Sequence, residues 1–304
     1  MKNRALYFVF ILIAARFYCG ISISYGETQS FTDTTGCTVE LPDRPLRVVS
    51  LAPSITEIVF SLGKGALLAG VTRYSDYPEE AKKLPRVGSY IRPELETIVN
   101  LKPDLCLAVK DGNPKKTIQR LKAFGIPVYT VSPEGIDTIL RSIKEIGGLL
   151  NAKDEAQNIT EKMSTQLAFI DRAVAQAPHK PLIFFQIGIS PIVSVGKNTF
   201  LNEMIQRAGG ENAVTSPRPY PRFSKEQVLA LAPEIIIITS MARNDIFEVV
   251  KKEWESWPSL PAVKTKRIHV VDSDILDRPT PRVVDGLAML TALIHPTLFK
   301  ETPK

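Results

Sequence analysis

The sequence predicts an α/β protein in which two lobes, each built on a parallel sheet, flank one long helix. Three observations predict it. Short apolar runs alternate with helix patterns on both sides of the middle of the 304-residue chain, and strands alternating with helices fold as parallel sheets. From Ile136 to Ala177 there is no strand run, while Ile159, Met163, Leu167, Ile170 and Val174 recur every three or four residues, the period of one helix face. Finally, Tyr90–Leu105 lies over Tyr220–Ile235 at a constant offset of 130, with Tyr, Arg, Glu, Leu and Pro coinciding and an acid after the Pro in both.

The elements follow in order. Residues 1–26 carry Lys2, Arg4 and Arg16 and no acid, an apolar run from Ala5 to Ala15, and small residues at Ser24 and Gly26. This predicts a secretory signal peptide cleaved near Gly26, the apolar run being too short to span a bilayer. The bulky Arg16-Phe17-Tyr18 before Cys19 argues against a lipid anchor there. Val48–Leu51 reads as a strand, and Ser54-Ile55-Thr56-Glu57 as a capping box opening a helix that ends at Gly63. In that helix Ile55, Ile58, Val59 and Leu62 form one apolar stripe. Leu67–Val71 is the next strand, followed by the irregular stretch Thr72–Pro78. Leu105–Val109 and Val128–Val131 read as strands around a helix capped by Asn113 and Pro114 and stopped at Gly125.

The segment 134–178 is a helical connection, whose long helix of some 20 residues would reach about 30 Å. Beyond it, strands are expected at Leu182–Ile187, Ile192–Val195, Ile235–Thr239 and Ile268–Val271. Helices are expected near Phe200–Ala208, Glu226–Leu231, Phe247–Trp254 and Arg282–Ile294. The chain thus divides into a leader (1–26), an N-terminal lobe (27–133), the connection (134–178) and a C-terminal lobe (179–304). A second match, from Thr56-Glu57-Ile58 to Gly63 against Asn202-Glu203-Met204 to Gly209, supports two copies of one design. Equivalent loops then face each other across a cleft, where small ligands sit.

Composition and motifs exclude several functions. The net charge of +6 includes the three leader cations and no basic block, so there is no footprint for nucleic acid. Gly196-Lys197-Asn198-Thr199 fails as a phosphate loop because Pro191 and Asn198 break the pattern. No Gly-x-Ser-x-Gly elbow occurs. His179, His269 and His295 are scattered over a linker, a strand and a helix end, which argues against a metal site. What remains on loops after strands is Tyr74, Tyr77, Tyr90, Tyr220, Asp274 and Arg278. Tyrosine offers a broad apolar face with one polar handle, and Tyr90 and Tyr220 are the symmetric pair. In an exported chain Cys37 and Cys106 either pair as a disulfide or leave Cys106 as a buried thiol in its apolar run.

Arg47-Val48-Val49-Ser50-Leu51-Ala52-Pro53-Ser54-Ile55-Thr56-Glu57, Tyr74-Ser75-Asp76-Tyr77-Pro78, Leu101-Lys102-Pro103-Asp104 and Ser273-Asp274 through Pro281-Arg282 together resemble the cobalamin-binding proteins of bacterial ABC importers. Those belong to a wider family that carries cobalamin, haem and iron siderophores. The resemblance spans Arg47 to Ile294 and implies two Rossmann-like lobes joined by a single rigid helix, with the ligand cleft between them. It also implies an N-terminal hairpin over Phe31–Pro42, in which Cys37 is unusual.

Carried over by position, the ligand contacts are Ser54, Tyr74, Tyr90, Val109, Lys110, Ile187, Val193, Tyr220, Asp274 and Arg278. Tyr90 and Tyr220 replace tryptophans, Val109 replaces a third, and Ile187 and Val193 replace phenylalanines. Glu96 and Glu226 would dock onto arginines of the membrane permease subunits, one from each lobe. The implied function is a monomeric periplasmic carrier that captures cobalamin or a related corrinoid for an importer, without cofactor, resident metal or chemistry. The alternatives are a haem or ferric siderophore carrier, and a two-lobed α/β enzyme.

Overall fold

A computed structural model describes residues 28–239 and 246–298; the predicted signal peptide lies outside the described residues. The described chain opens with an antiparallel hairpin, β1 (Thr28–Thr32) against β2 (Thr38–Pro42). Gly36 supplies the positive φ of +79° in its turn, and Asp33 Oδ1 accepts the Thr35 and Cys37 amides. Alternation buries Val39 and Leu41 against the first lobe.

That lobe contains β3 (Val48–Ser50), α1 (Pro53–Ser61), β4 (Leu68–Gly70), β5 (Gly88–Ser89), β6 (Arg92–Pro93), α2 (Leu95–Asn100), β7 (Leu105–Val109), α3 (Lys115–Ala123) and β8 (Val128–Val131). Its sheet has the order β4-β3-β7-β8 and is parallel throughout. Every residue of β7 is buried, as a central strand covered on both faces requires. The expected capping box does not form. Helix α1 starts at Pro53 behind Ala52, which makes no side-chain cap, because proline at the first helical position presets φ. Glu57 therefore lies inside the helix with its carboxylate free for other partners. Asn113 does not cap α3 either, since the N-cap position is taken by Pro114.

The connection is two helices, α4 (Ile136–Leu149) and α5 (Lys153–Val174). The two meet where Asn151 takes φ +52°, a left-handed conformation that asparagine tolerates, and α5 is the long helix expected within the connection. The two helices pack closely: a Cβ on Gly147 would fall 2.5 Å from that of Ala156. Helix α5 has 22 residues, roughly 33 Å.

The second lobe holds β9 (Leu182–Gly188), β10 (Ile192–Ser194), α6 (Phe200–Arg207), β11 (Glu211–Asn212), β12 (Arg222–Phe223), α7 (Lys225–Leu231), β13 (Ile235–Ile238), α8 (Ile246–Glu255), α9 (Pro261–Lys264), β14 (Ile268–Val270), α10 (Ser273–Leu276) and α11 (Val283–Ile294). Strands β11, β9, β13 and β14 are parallel, but β10 and β12 run antiparallel at one edge. Only residues 189–191 separate β9 from β10, too few for the crossover a parallel neighbour needs.

The duplication reaches the backbone. Lys102 and Ala232, at the 130-residue offset and each followed by proline, both take φ +47°. One continuous core runs from Leu41 of the hairpin through Ile139 and Met163 of the connection to Phe185 and Leu287 of the second lobe. The long helix is thus embedded in a shared core.

Cys37 and Cys106 are both free, so the disulfide does not form. Along β7, Leu105, Leu107 and Val109 face the core on which the hairpin docks, whereas Cys106 points into the cluster on the opposite face with Val49, Leu121 and Val128. Burial, and then the charge of Asp104, pushes its thiol up to about 12.

Candidate functional site

Open α/β sheets present ligands to loops at the carboxyl ends of their strands, and here those loops converge from both lobes. In the first lobe the end of β7 runs into Lys110–Asn113. The buried Asn113 receives the Val109 amide on Oδ1 at 2.8 Å and donates Nδ2 to Leu51 O and Tyr90 O, each at 2.8 Å. The Tyr90 loop is thereby pinned to β7 and to the end of β3. Thr56 Oγ1 donates to Ser75 Oγ at 2.9 Å, Thr72 and Ser75 share a hydrogen bond of 2.9 Å, and Arg86 Nη1 donates to the Thr72 and Ser75 carbonyls. The irregular stretch Thr72–Pro78 is in this way held against α1.

Tyr220 comes from the loop before β12 and exposes 60% of its surface. Protein walls around it nevertheless push its hydroxyl up, and Asp111, Asp277 and Tyr90 add to the shift. Two of those three groups belong to the first lobe, so Tyr220 lies on the side of the second lobe that faces Tyr90.

Close by, the lobes touch through charge. Arg278 donates to Glu57 Oε1 at 3.0 Å, Asp76 Oδ1 at 3.2 Å and Tyr74 O at 3.3 Å, and pairs with Asp274 at 2.6 Å. Arg282 reaches Glu57 Oε2 through Nε at 2.9 Å and Oε1 through Nη2 at 3.0 Å. Its guanidinium stacks 3.8 Å over the Tyr77 ring. Beside them Thr239 Oγ1 donates to Asp277 Oδ2 at 2.9 Å, while Asp277 Oδ1 is buried without a hydrogen bond among the described residues. Burial pushes the Asp277 carboxyl up to about 7, against the Thr239 hydrogen bond and with Asp274 and Asp272 adding.

The remaining expected residues take varied places. Ser54 is buried in the first turn of α1 and Val109 at the end of β7. Tyr74 is exposed. Lys110 pairs with Glu134 at 2.9 Å, and that hydrogen bond raises its pKa. Ile187 is half-buried against the main core, and Val193 lies in β10 in register with Arg222. The structure thus brings Tyr74, Asp274 and Arg278 together, and Tyr90 toward Tyr220. Glu96 and Glu226 stand exposed in the first turns of α2 and α7. Glu57, Asp76, Asn113, Asp277 and Arg282 are not among the expected site residues; the signal that could have found all but Asn113 is their place in the segments that carry the resemblance. Among the described residues no cluster of three or more His, Cys, Asp or Glu could hold a metal. Two depressions of about 480 and 460 Å³ lie elsewhere, one between the end of the long helix and the second lobe beside Asp171, His179 and Arg207, the other on the second lobe beside Lys197 and Asn212.

Residues 48–275 match the family described as periplasmic binding protein. The chain belongs to that family. The vitamin B12-binding protein of Vibrio vulnificus strain YJ016 is 34% identical to this periplasmic binding protein over 249 residues, covering 81% of this chain and 89% of the relative. Among solved structures, the periplasmic vitamin B12-binding protein of Vibrio cholerae superposes with a TM-score of 0.77 at 29% identity, over 86% of this chain and all of that one. A periplasmic heme-binding protein from Roseiflexus sp. RS-1 gives 0.74 at 26% identity, over 83% and 98%. No helix among the described residues of this periplasmic binding protein is long and apolar enough to cross a membrane.

Proposed function

We propose that the protein captures cobalamin, or a closely related corrinoid, in the cleft between its lobes and delivers it to an ABC importer in the inner membrane. It acts as an exported monomer, with its leader removed near Gly26, and carries out no chemistry on its cargo. Residues 27–133 and 179–304 are its two lobes and 134–178 their connection. The observation that carries this reading is the aromatic pair at equivalent loops of a duplicated unit, Tyr90 held by Asn113 and Tyr220 standing 60% exposed opposite, in a chain one-third identical to vitamin B12-binding proteins. Two tyrosines can grip a large flat ligand without burying a charge. Ser54, Lys110, Val109, Ile187 and Val193 complete the proposed pocket, with Tyr74, Asp274 and Arg278 at its edge. Glu96 and Glu226 present one carboxylate from each lobe to a two-fold symmetric permease.

Incubation with cyanocobalamin, haem and ferric siderophores in turn, followed by gel filtration and visible spectroscopy, tests the assignment. Cobalamin should co-elute with its own spectrum. Retention of haem in its place would move the protein to the haem branch of the family, and retention of none would remove the reading.

A further inference from the structure

Glu57 is the odd residue of the cross-lobe contact. It sits inside helix α1 of the first lobe, its side chain only 2% exposed. Its carboxylate takes hydrogen bonds from Arg278 Nη1, Arg282 Nε and Arg282 Nη2 at 2.9–3.0 Å. Both arginines belong to the second lobe, 221 and 225 residues away in sequence. The fork of Arg282 meets both carboxylate oxygens, the geometry that fixes orientation as well as distance. Removing a partner from a buried carboxylate is strongly destabilising, and displacement of one lobe relative to the other would break several charge-assisted bonds at once. The same two arginines hold the cleft edge: Arg278 binds Asp76 and the Tyr74 carbonyl, and Arg282 binds the Asp274 carbonyl at 3.3 Å and covers Tyr77.

We infer that Glu57 is a positioning residue: by pinning Arg278 and Arg282 it sets the spacing between the lobes, and with it the width of ligand the cleft admits. The last clause rests on the cleft being the ligand site; the spacing does not. Glu57 needs no contact with the cargo to act, because the residues it aligns belong to both walls.

The test uses the full mature chain with spin labels on exposed positions of each lobe, Lys116→Cys and Lys264→Cys, in a Cys37→Ser background; Cys106 is buried. Pulsed electron resonance without ligand should give a narrow distance distribution for the parent. In Glu57→Gln that distribution should broaden, circular dichroism should be unchanged, and cyanocobalamin should bind at least tenfold more weakly. Arg282→Lys keeps the charge but loses the fork, and should show the same broadening more mildly; it carries the test if Glu57→Gln does not fold. Distributions that superimpose on the parent in a folded variant would overturn the positioning role. A parent that binds no cobalamin would instead remove the cargo assignment, since the distances are measured without it.

Discussion

Asp104 and Glu234, 130 residues apart in sequence, grip the first core strand of their respective lobes in the same way. Asp104 donates its amide to Arg47 O and accepts the Arg47 and Leu46 amides on its carboxylate at 3.0 and 2.7 Å. Glu234 donates its amide to Leu182 O at 2.8 Å and accepts the Leu182 amide at 3.0 Å. The acid after proline is thus a strand anchor, used twice. Amides bound to a carboxylate contribute more than neutral pairs, so Asp104→Ala should cost about 2–3 kcal/mol and Glu234→Ala about 1–2 kcal/mol. Urea denaturation measures both; a loss below about 0.5 kcal/mol in each, the range of an ordinary surface change, would refute the anchor.

Tyr90→Ala and Tyr220→Ala should each weaken cobalamin binding at least tenfold, about 1.4 kcal/mol or more, as truncated aromatic anchors do. Tyr220→Ala should leave the melting temperature unchanged, because the side chain is 60% exposed. Titration calorimetry on both variants decides. Unchanged affinity in the pair would dismiss the aromatic wall.

Reversal of Glu96 and Glu226 to Lys together should leave cobalamin affinity intact and abolish ligand-stimulated ATP hydrolysis by the cognate importer in vesicles. Rim charges govern encounter and register more than the pocket does. Normal stimulation by the double variant would reduce both residues to helix-start acids, favoured there by the helix dipole.

Asp277 makes stability depend on pH. Its folded pKa of about 7 lies above the unfolded carboxylate value, so the folded state binds the extra proton. The penalty of the buried charge is full above pH 7 and shrinks as pH falls from 7 toward 4. Asp277→Asn should therefore gain more than about 1 kcal/mol at pH 8, with the gain fading across that window. Equal stabilities at pH 8, read by urea denaturation, would count against a buried charge there.

Much of the fold could be read from local pattern. The stripe Ile55, Ile58, Val59, Leu62 and the repeat around Tyr90 and Tyr220 depend on neighbours a few residues away or on self-comparison, and both appear in the structure. Features decided at a distance could not be read so. Ser54 and Glu57 satisfy a cap motif, yet Pro53 starts the helix and Glu57 turns to arginines more than 200 residues on. Asn113 looks like a cap beside Pro114 and serves instead as a three-way bridge. The choice between a disulfide and a buried thiol follows the same logic: the alternation of β7 puts Cys106 on one face, but only the fold shows the hairpin docked on the other, with Cys37 exposed.

The bridge made by Asn113 has a kinetic consequence. The Tyr90 carbonyl is tied to the strand ends before any ligand arrives, so if Tyr90 walls the proposed pocket, the backbone of that wall enters the encounter already ordered and has little conformational entropy to lose on binding. In the proposed pocket, capture should then proceed at a rate set by diffusion and docking orientation, and differences in affinity among related cargoes should reside in how fast each departs. Asn113→Ala should slow association by loosening that wall, a change that stopped-flow mixing separates from the faster release expected of Tyr90→Ala.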